Sequence, residues 1–246
     1  MHFKKLLPLA AASVVLSSAA AFADVDTTSA AADWSGLYIG AEGGADFGTT
    51  HFALPGDKDD VLQKTTKGKT EFVGGGLVGY NWQADNIVYG VEADATSSDG
   101  TTSVTSCNAV DGCFVTTHDS FTTLNHVKTD WSGRLRARVG FLSMGTLFYA
   151  AGGYSYADTK MSLVGLCYDA AAPTVPLVFN YARSKGLSGF NIGAGMERAF
   201  GEHFVARVEY VYSDYGSNTY PGSAEWNDRR ISSNNGAVRV AVAYHF

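Results

Sequence analysis

The sequence predicts an all-β fold: an eight-stranded, antiparallel, up-and-down transmembrane β-barrel with four long extracellular loops and three short periplasmic turns. Three observations predict it: alternation of side-chain character with a period of two, a strict succession of short and long connections, and an unusual composition. Of the 246 residues, 17% are charged and 28 are glycines, whereas average soluble domains have about 25% charged residues and about 7% glycine. A shortage of charge is what a lipid-facing surface requires.

The N-terminus has the three parts of an export signal. Lys4 and Lys5 form a positive region, residues 6–18 form an apolar region, and Ala21, Phe22 and Ala23 form a cleavage site. We therefore predict three segments: a cleaved signal peptide at 1–23, a short periplasmic segment at 24–33 and the barrel domain at 34–246. An uncleaved membrane anchor is the alternative, but the apolar run is shorter than the ~20 residues of a spanning helix.

Eight segments of the mature chain alternate in the manner of β-strands. In the first, Leu37 and Ile39 share one face while Tyr38 and Glu42 share the other. Every segment has at least nine residues, which is long for a globular strand of about 5–6 residues and typical of a membrane-spanning strand of about 9–11. The segments are 34–47, 72–82, 87–95, 131–141, 147–156, 187–200, 204–215 and 236–246.

The connections between these segments alternate in length. Short ones with turn-forming residues lie at 84–86, 143–145 and 201–203, and long polar ones lie at about 48–69, 96–130, 157–186 and 216–235. Strict alternation places all turns and both termini at one end of the sheet and all long loops at the other. A soluble sandwich has no reason to sort its connections in this way, but outer-membrane barrels do.

The polar faces of the strands have five acids and five arginines. We predict that they point into the barrel lumen and neutralise one another there as a salt network, because unpaired buried charges are costly. Glycines on the same faces, such as Gly40, Gly44, Gly193 and Gly195, are predicted to make room for the arginines. The ten residues are Glu42, Glu92, Asp94, Arg134, Arg136, Arg138, Glu197, Arg207, Glu209 and Arg239.

The opposite faces are apolar, with aromatic residues near the strand ends. Such a surface suits a bilayer. The alternative is an exported barrel of the lipocalin kind, with a solvated charged exterior and an apolar interior. The residues predicted to face lipid include Leu135, Val139, Phe141, Val208, Tyr210, Tyr212, Val238, Val240, Val242 and Tyr244.

Several strands together resemble one known family. The segments are NWQADNIVYGVEAD at 81–94, GRLRARVGF at 133–141, RVEYVYSDYG at 207–216 and VRVAVAYHF at 238–246, with WSGLYIG at 34–40. They resemble the RopB-type family of small, porin-like outer-membrane barrels of alphaproteobacteria, which includes the major small surface antigens of Brucella. The resemblance covers the mature chain but is poor in the loops. It implies a multi-pass protein in the outer membrane of a Gram-negative bacterium, in contact with outer-membrane lipids.

The resemblance also implies partners. The aromatic C-terminus, with Tyr244 and Phe246 on one face, is the kind of signal that the barrel-assembly machinery reads in outer-membrane proteins. Some small relatives bind hemin at the surface, so hemin and host surfaces are candidate partners. The excess of acids over bases, 24 against 18, argues against a nucleic-acid partner.

No motif indicates catalysis. Gly74, Gly76 and Gly79 match the dinucleotide-binding fingerprint, but they lie in a strand pattern with no following helix to hold a pyrophosphate. The arginine and carboxylate cluster could suggest acid–base chemistry, but a lumen salt network explains it without a substrate. The sequence therefore predicts no catalytic residue, no cofactor and no metal, and no enzyme activity.

Three cysteines lie in predicted loops. In an oxidising compartment the nearest two, Cys107 and Cys113, are predicted to form a disulfide, although Cys167 could pair with either. The loop histidines His51, His118 and His126 have no metal-ligand spacing.

The predicted function is structural and surface-exposed. Eight strands enclose a space that side chains just fill, and the lumen charges fill it further, so a general diffusion channel is disfavoured. The expected role is in envelope integrity and host contact through the long loops. Hemin binding at the surface and a narrow porin-like channel are the alternatives.

Overall fold

The computed structural model describes residues 33–53, 65–98, 100–108, 120–168, 177–220 and 229–246. The predicted signal peptide and nearly all of the short segment after it lie outside these residues. No helix among the described residues has the length and apolar character needed to cross a membrane. The strands are β1 (Gly36–Ala53), β2 (Thr65–Ala84), β3 (Ile87–Ser98), β4 (Thr101–Asn108), β5 (Ser120–Ser143), β6 (Thr146–Tyr168), β7 (Leu177–Phe200), β8 (Phe204–Tyr220) and β9 (Arg229–His245).

The strands form one closed antiparallel sheet. Each strand from β5 to β9 pairs with its neighbour in the chain, and β1 pairs with both β2 and β9, which joins the two ends of the chain. Strands β3 and β4 pair with successive parts of β5, the first with 131–141 and the second with 121–128. Nine strands therefore occupy eight positions in the wall, and the prediction of an eight-stranded up-and-down barrel is confirmed.

Three tight turns lie at one end of the barrel, as predicted. Ala84 pairs with Ile87, and Ser143 pairs with Thr146, so each of these hairpins has a two-residue loop. Met144 and Gly145 have φ of 50° and 72°, which is the pattern of a type I′ turn. The third turn is at 201–203. The C-terminus lies at the same end, because the Phe246 amide donates a hydrogen bond to the Leu37 carbonyl at 3.0 Å.

The strands are longer than the alternation indicates. Much of every segment predicted to be a long loop continues as strand: residues 48–53 and 65–69, 101–108 and 120–130, 157–168 and 177–186, and 216–220 and 229–235. The predicted loop boundaries are wrong there because backbone pairing continues beyond the apolar band. These segments are rich in Thr and Ser, and Thr favours extended backbone whichever face it occupies.

The barrel divides into two lobes at the end opposite the turns. Pairing of β7 with β8 ends at Phe190 and Asp214, and pairing of β2 with β3 ends at Val73 and Ser98. Beyond these points, the described parts of β8, β9, β1 and β2 remain paired as lobe A, and β4, β5, β6 and β7 remain paired as lobe B. A cleft lined by residues of both four-stranded sheets lies between the lobes, and the Lys185 ammonium still joins β7 to β8 there by donating a hydrogen bond to the Thr219 carbonyl at 2.7 Å.

The outer wall is apolar and the inner wall is largely polar. Burial alternates residue by residue along β3, with Glu92 and Asp94 buried and Val91 exposed. Stacked aromatic pairs flank all three turns on the outside: Trp82 with Tyr89, Phe141 with Phe148, and Phe200 with Phe204. The alternative of an apolar calyx inside a charged exterior is therefore wrong for this chain. Exposed aromatic residues toward the lobes include Phe47, Phe72, Trp131, Tyr154 and Phe190.

Candidate functional site

The interior of the barrel holds a network of ion pairs. All ten residues of the predicted salt network lie on inward faces, and none has more than 8% of its surface exposed. Each forms at least one ion pair within 4 Å. The structure thus brings the ten together in one region.

Strand periodicity explains how the arginines are stacked. Arg134, Arg136 and Arg138 alternate along β5, so their side chains point inward at intervals of about 6.6 Å. On the neighbouring strand β3, Glu92 lies opposite Arg136 and Asp94 lies opposite Arg134. The remaining carboxylates come from β1, β7 and β8, so their ion pairs with these three arginines cross the lumen.

Glu92 is the hub of the lower half of the network, toward the turns. Its carboxylate contacts the guanidinium of Arg136, that of Arg207 at 2.6 Å and that of Arg138 at 3.5 Å. The Tyr38 hydroxyl also donates a hydrogen bond to it at 2.7 Å. Three cations and one hydroxyl therefore converge on one buried carboxylate.

Two further carboxylates complete this half. Glu197 contacts Arg138 at 2.9 Å and Arg207 at 2.6 Å. Glu209 accepts two hydrogen bonds from Arg136, at 2.6 and 3.1 Å, an arrangement that fixes direction as well as distance. The guanidinium of Arg138 also lies over the Tyr149 ring, 4.1 Å from its centroid.

The upper half of the network, toward the lobes, is built around Arg134 and Arg239. Arg134 contacts Asp94 at 2.7 Å and Glu42 at 3.1 Å. Arg239 pairs with Asp46, a residue that the sequence analysis missed. The signal for Asp46 was present, because it lies four residues after Glu42 and so on the same strand face. With Asp46 the network has six acids and five arginines.

Aromatic side chains close the lumen near the turns. The His245 ring stacks on Tyr38, with centroids 5.1 Å apart, and Trp34 packs edge-on against His245 at 5.8 Å. Trp34 and Tyr38 are buried, at 2% and 1% exposure. The Gln83 side chain holds Trp34 in place by accepting a hydrogen bond from its backbone amide at 2.8 Å. Sequence analysis missed this closure, although it placed Tyr38 on the polar face.

The predicted role of the glycines is wrong. A Cβ at Gly40 or Gly44 would contact the backbone of β9, and one at Gly195 would contact the Tyr149 hydroxyl. At Gly193 the nearest network atom is a carboxylate oxygen of Glu209, at 3.0 Å. These glycines therefore make room for neighbouring backbone, for a tyrosine and for a carboxylate. None of their close contacts is with the side chain of an arginine.

Among the described residues, the cysteines and histidines do not come together in a metal-binding site. Cys107 pairs with Thr122 and Cys167 pairs with Phe121, so β5 lies between the two cysteines. Two strand spacings put their Cα atoms about 9.5 Å apart, beyond the ~7 Å reach of a disulfide. Cys113 and His118 lie outside the described residues, so the Cys107–Cys113 disulfide stays a prediction. Of the other histidines, His51 lies on β1 and His126 on β5, where it shares a hydrogen bond with Ser103 at 2.8 Å. The described residues contain no group of three metal-binding side chains.

A closed antiparallel barrel with an apolar outer band, aromatic residues near both ends of that band and charges inside is the architecture of a bacterial outer-membrane protein. The chain belongs to the outer membrane protein beta-barrel domain family, whose model matches residues 9–246. It is an integral, multi-pass protein of the outer membrane, and the resemblance to the small alphaproteobacterial barrels is confirmed.

Relatives of this chain come from alphaproteobacteria. A 31 kDa outer-membrane immunogenic protein of Brucella melitensis biotype 1 is 33% identical over 96% of this chain and 92% of its own length. A 22 kDa outer membrane protein of Rhizobium leguminosarum bv. viciae is 28% identical over 87% of this chain and 80% of its own. Among solved structures, the outer membrane protein OprG from Pseudomonas aeruginosa is similar, with 13% sequence identity and a TM-score of 0.49. The match covers 89% of this chain and 100% of the OprG chain.

Proposed function

We propose that this protein is a structural barrel of the outer membrane whose interior is closed to diffusion, and that its two lobes make contacts at the cell surface. The observation that carries the proposal is the mutual pairing of the interior charges. A pore needs charged or polar groups that face water and passing solutes. Here the carboxylates and guanidiniums face one another, and Trp34 with His245 lies beneath them.

Planar-bilayer recording tests the closed interior. We expect the wild-type protein to give no stable single-channel steps. The neutral double variant Arg136→Ala/Glu209→Ala removes a buried pair that joins β5 to β8, and should produce small, steady conductance because it leaves a wet gap. The matched control is Lys160→Ala/Asp130→Ala, which removes an ion pair of 2.5 Å on the outer surface and should remain silent. Stable steps from the wild type contradict the proposal.

A role at the cell surface is supported by the relatives' names. Proteins called outer-membrane immunogenic proteins are 33% and 29% identical to this chain, and immune recognition requires parts that reach the exterior. We infer that the lobes are the parts of this protein that reach the exterior, and that they serve in host contact. We further infer that the protein contributes to envelope integrity and has no enzymatic activity. We also propose that the mature chain begins at Asp24, after removal of the signal peptide at 1–23.

Hemin binding is the alternative that the family resemblance suggests. No described cluster of side chains favours it over the structural role. Titration of hemin into the refolded protein separates the two functions. A saturable shift of the Soret band below the micromolar range would favour hemin binding, and absence of that shift would remove it.

A further inference from the structure

The two halves of the interior network differ in their balance of charge. In the lower half, three carboxylates face three guanidiniums; in the upper half, three carboxylates face two. Among the described residues, one negative charge of the upper half therefore has no cation of its own. The lower half consists of Glu92, Glu197, Glu209, Arg136, Arg138 and Arg207. The upper half consists of Glu42, Asp46, Asp94, Arg134 and Arg239.

The groups around the upper half do not offset this charge. Toward the lobes, the Lys69 ammonium is paired with Glu71. Toward the turns, the Arg136 Nε lies 3.7 Å from Asp94 Oδ2, but its guanidinium already pairs with two carboxylates of the lower half. Tyr215, which lines the same region as Asp46, has a phenol that is neutral at pH 7.

The excess charge lies on Glu42 and Asp94, because these two acids share one arginine. Arg134 donates from Nε to Asp94 Oδ1 at 2.7 Å and from Nη2 to Glu42 Oε1 at 3.1 Å. Nε and Nη2 form the edge with which an arginine commonly holds both oxygens of one carboxylate. Here each nitrogen holds an oxygen from a different acid, so two like charges are brought side by side. Asp46, the third acid, has Arg239 as its partner.

The same two acids have unused oxygens. Glu42 Oε2 and Asp94 Oδ2 are buried and have no hydrogen-bond partner among the described residues, and Glu42 and Asp94 are 6% and 7% exposed. An ionised carboxylate can only accept hydrogen bonds, so burial without donors is costly. A protonated carboxyl has no charge to bury and has an O–H donor of its own. The excess charge and the unused oxygens therefore coincide at one pair.

We propose that Glu42 and Asp94 together hold one proton at neutral pH, so that the pair carries a single negative charge. Two acids that share a buried site lose their protons one at a time and not together. With the proton bound, the upper half has two negative charges against two positive ones. An oxygen-bound metal ion would need about six ligands, and the described residues contain no group of three metal-binding side chains. The inference goes beyond the closed barrel, because the proton is bound whether or not the barrel conducts.

Infrared spectroscopy of the folded protein in detergent tests the proposal at pH 7. A protonated carboxyl has a carbonyl stretch that ionised carboxylates lack. Acids in water are ionised at this pH because their ordinary pKa values are about 4. We expect a carboxyl band in the wild type and its loss in Glu42→Gln and in Asp94→Asn, because either change leaves one acid ionised beside Arg134. Glu202→Gln, the same change in an exposed turn, is the control and should keep the band.

The pH dependence of unfolding gives a second readout. The unfolded chain releases the proton into water, so the folded state binds one proton more and is destabilised as pH rises. Other titrating groups affect the wild type and Glu42→Gln alike. The ratio of their unfolding constants should therefore rise about tenfold from about pH 6 to pH 7, the increment for one proton. Urea-induced unfolding in lipid vesicles at each pH measures it.

Folding of every variant is checked by its altered mobility on unheated gels, and the two single variants are independent of each other. Three results overturn the proposal. The first is a wild type without the carboxyl band at pH 7. The second is a band that survives either Glu42→Gln or Asp94→Asn. The third is the same pH dependence of unfolding in the wild type and in Glu42→Gln.

Discussion

Glu92 sits where the interior charges of the barrel converge. It is 2% exposed and contacts Arg136, Arg138 and Arg207. Removing charges from water is expensive, and the mutual attraction offsets that cost only when each charge keeps its partners. A neutral residue at position 92 would leave three guanidiniums to share the remaining carboxylates. Position 92 is therefore the place where a single change disturbs the network most.

We expect Glu92→Gln to lower the free energy of unfolding by about 3–5 kcal/mol, the usual cost of breaking a buried ion pair. Glutamine keeps the shape and loses only the charge. The measurement is urea-induced unfolding in lipid vesicles, followed by the loss of the form that migrates anomalously on unheated gels. The control Glu202→Gln makes the same chemical change in an exposed turn and should stay within about 0.5 kcal/mol of wild type. A Glu92→Gln variant as stable as wild type contradicts the account of a network that depends on Glu92.

The period-two alternation of the sequence is enough to place the charged residues inside the barrel. It does not show which arginine pairs with which carboxylate. Arg239 lies opposite Gly44 in the register of β9 on β1, and only that stagger brings it to Asp46. The positions of Tyr38 and Tyr149 among the arginines also follow from the stagger of strands across the lumen. The number of strands and the direction in which the sheet closes do not determine this stagger.

At the scale of elements, the turns were predictable and the strand ends were not. Asp85, Asn86 and Gly145 are residues whose chemistry specifies tight turns, and they form them. Beyond the apolar band the alternation inverts, because the outward face becomes polar and the inward face holds buried residues such as Val127, Met161 and Leu187. The pattern of a lipid-facing strand therefore stops there although pairing continues. Along β6, for example, Ala157, Thr159 and Met161 are buried on the inward face while Lys160 is exposed on the outward one. The two lobes could not be predicted for the same reason.

The last strand closes the barrel against the first, and its end is the predicted assembly signal. The side chains of Tyr244 and Phe246 pack edge to face at 5.1 Å, and Phe246 is 70% exposed. We expect deletion of Phe246 to reduce severalfold the amount of folded barrel in the outer membrane, because the assembly machinery loses its aromatic terminus. Pulse-chase labelling followed by unheated gels measures this amount.

A second exposed apolar residue at the same end of the barrel serves as the control. Met144 is 97% exposed in its turn, and Met144→Ala should assemble like wild type. Spontaneous refolding of the Phe246 deletion into detergent micelles should also be near normal, which separates recognition from stability. Unchanged assembly in cells would show that Phe246 is only one more lipid-facing residue.

At the scale of the whole molecule, the structure shows where the few charged residues lie. Arginines and carboxylates are concentrated in the lumen, and the outer wall between the aromatic ends is apolar. The formal charge of −6 for the chain becomes −8 once the two lysines of the predicted signal peptide are removed. Because the network itself is nearly neutral, the acidic excess belongs mainly to the ends of the barrel, where it affects contacts with other molecules and not the fold.

The sorting of turns and lobes to opposite ends predicts the orientation of the protein in the membrane. Short turns face the periplasm in outer-membrane barrels, and long connections face the exterior. We therefore expect the variant Ser217→Cys, at an exposed position near the lobes, to react with a large, membrane-impermeant maleimide in intact cells. The variant Glu202→Cys, at an exposed position in a turn, should react only after the outer membrane is permeabilised. Cys107, Cys113 and Cys167 are replaced by serine in both variants, so that only the introduced thiol is labelled. Labelling of Glu202→Cys in intact cells, or protection of Ser217→Cys there, would show that the turns and not the lobes lie outside the cell. The cleft between the lobes would then face the periplasm.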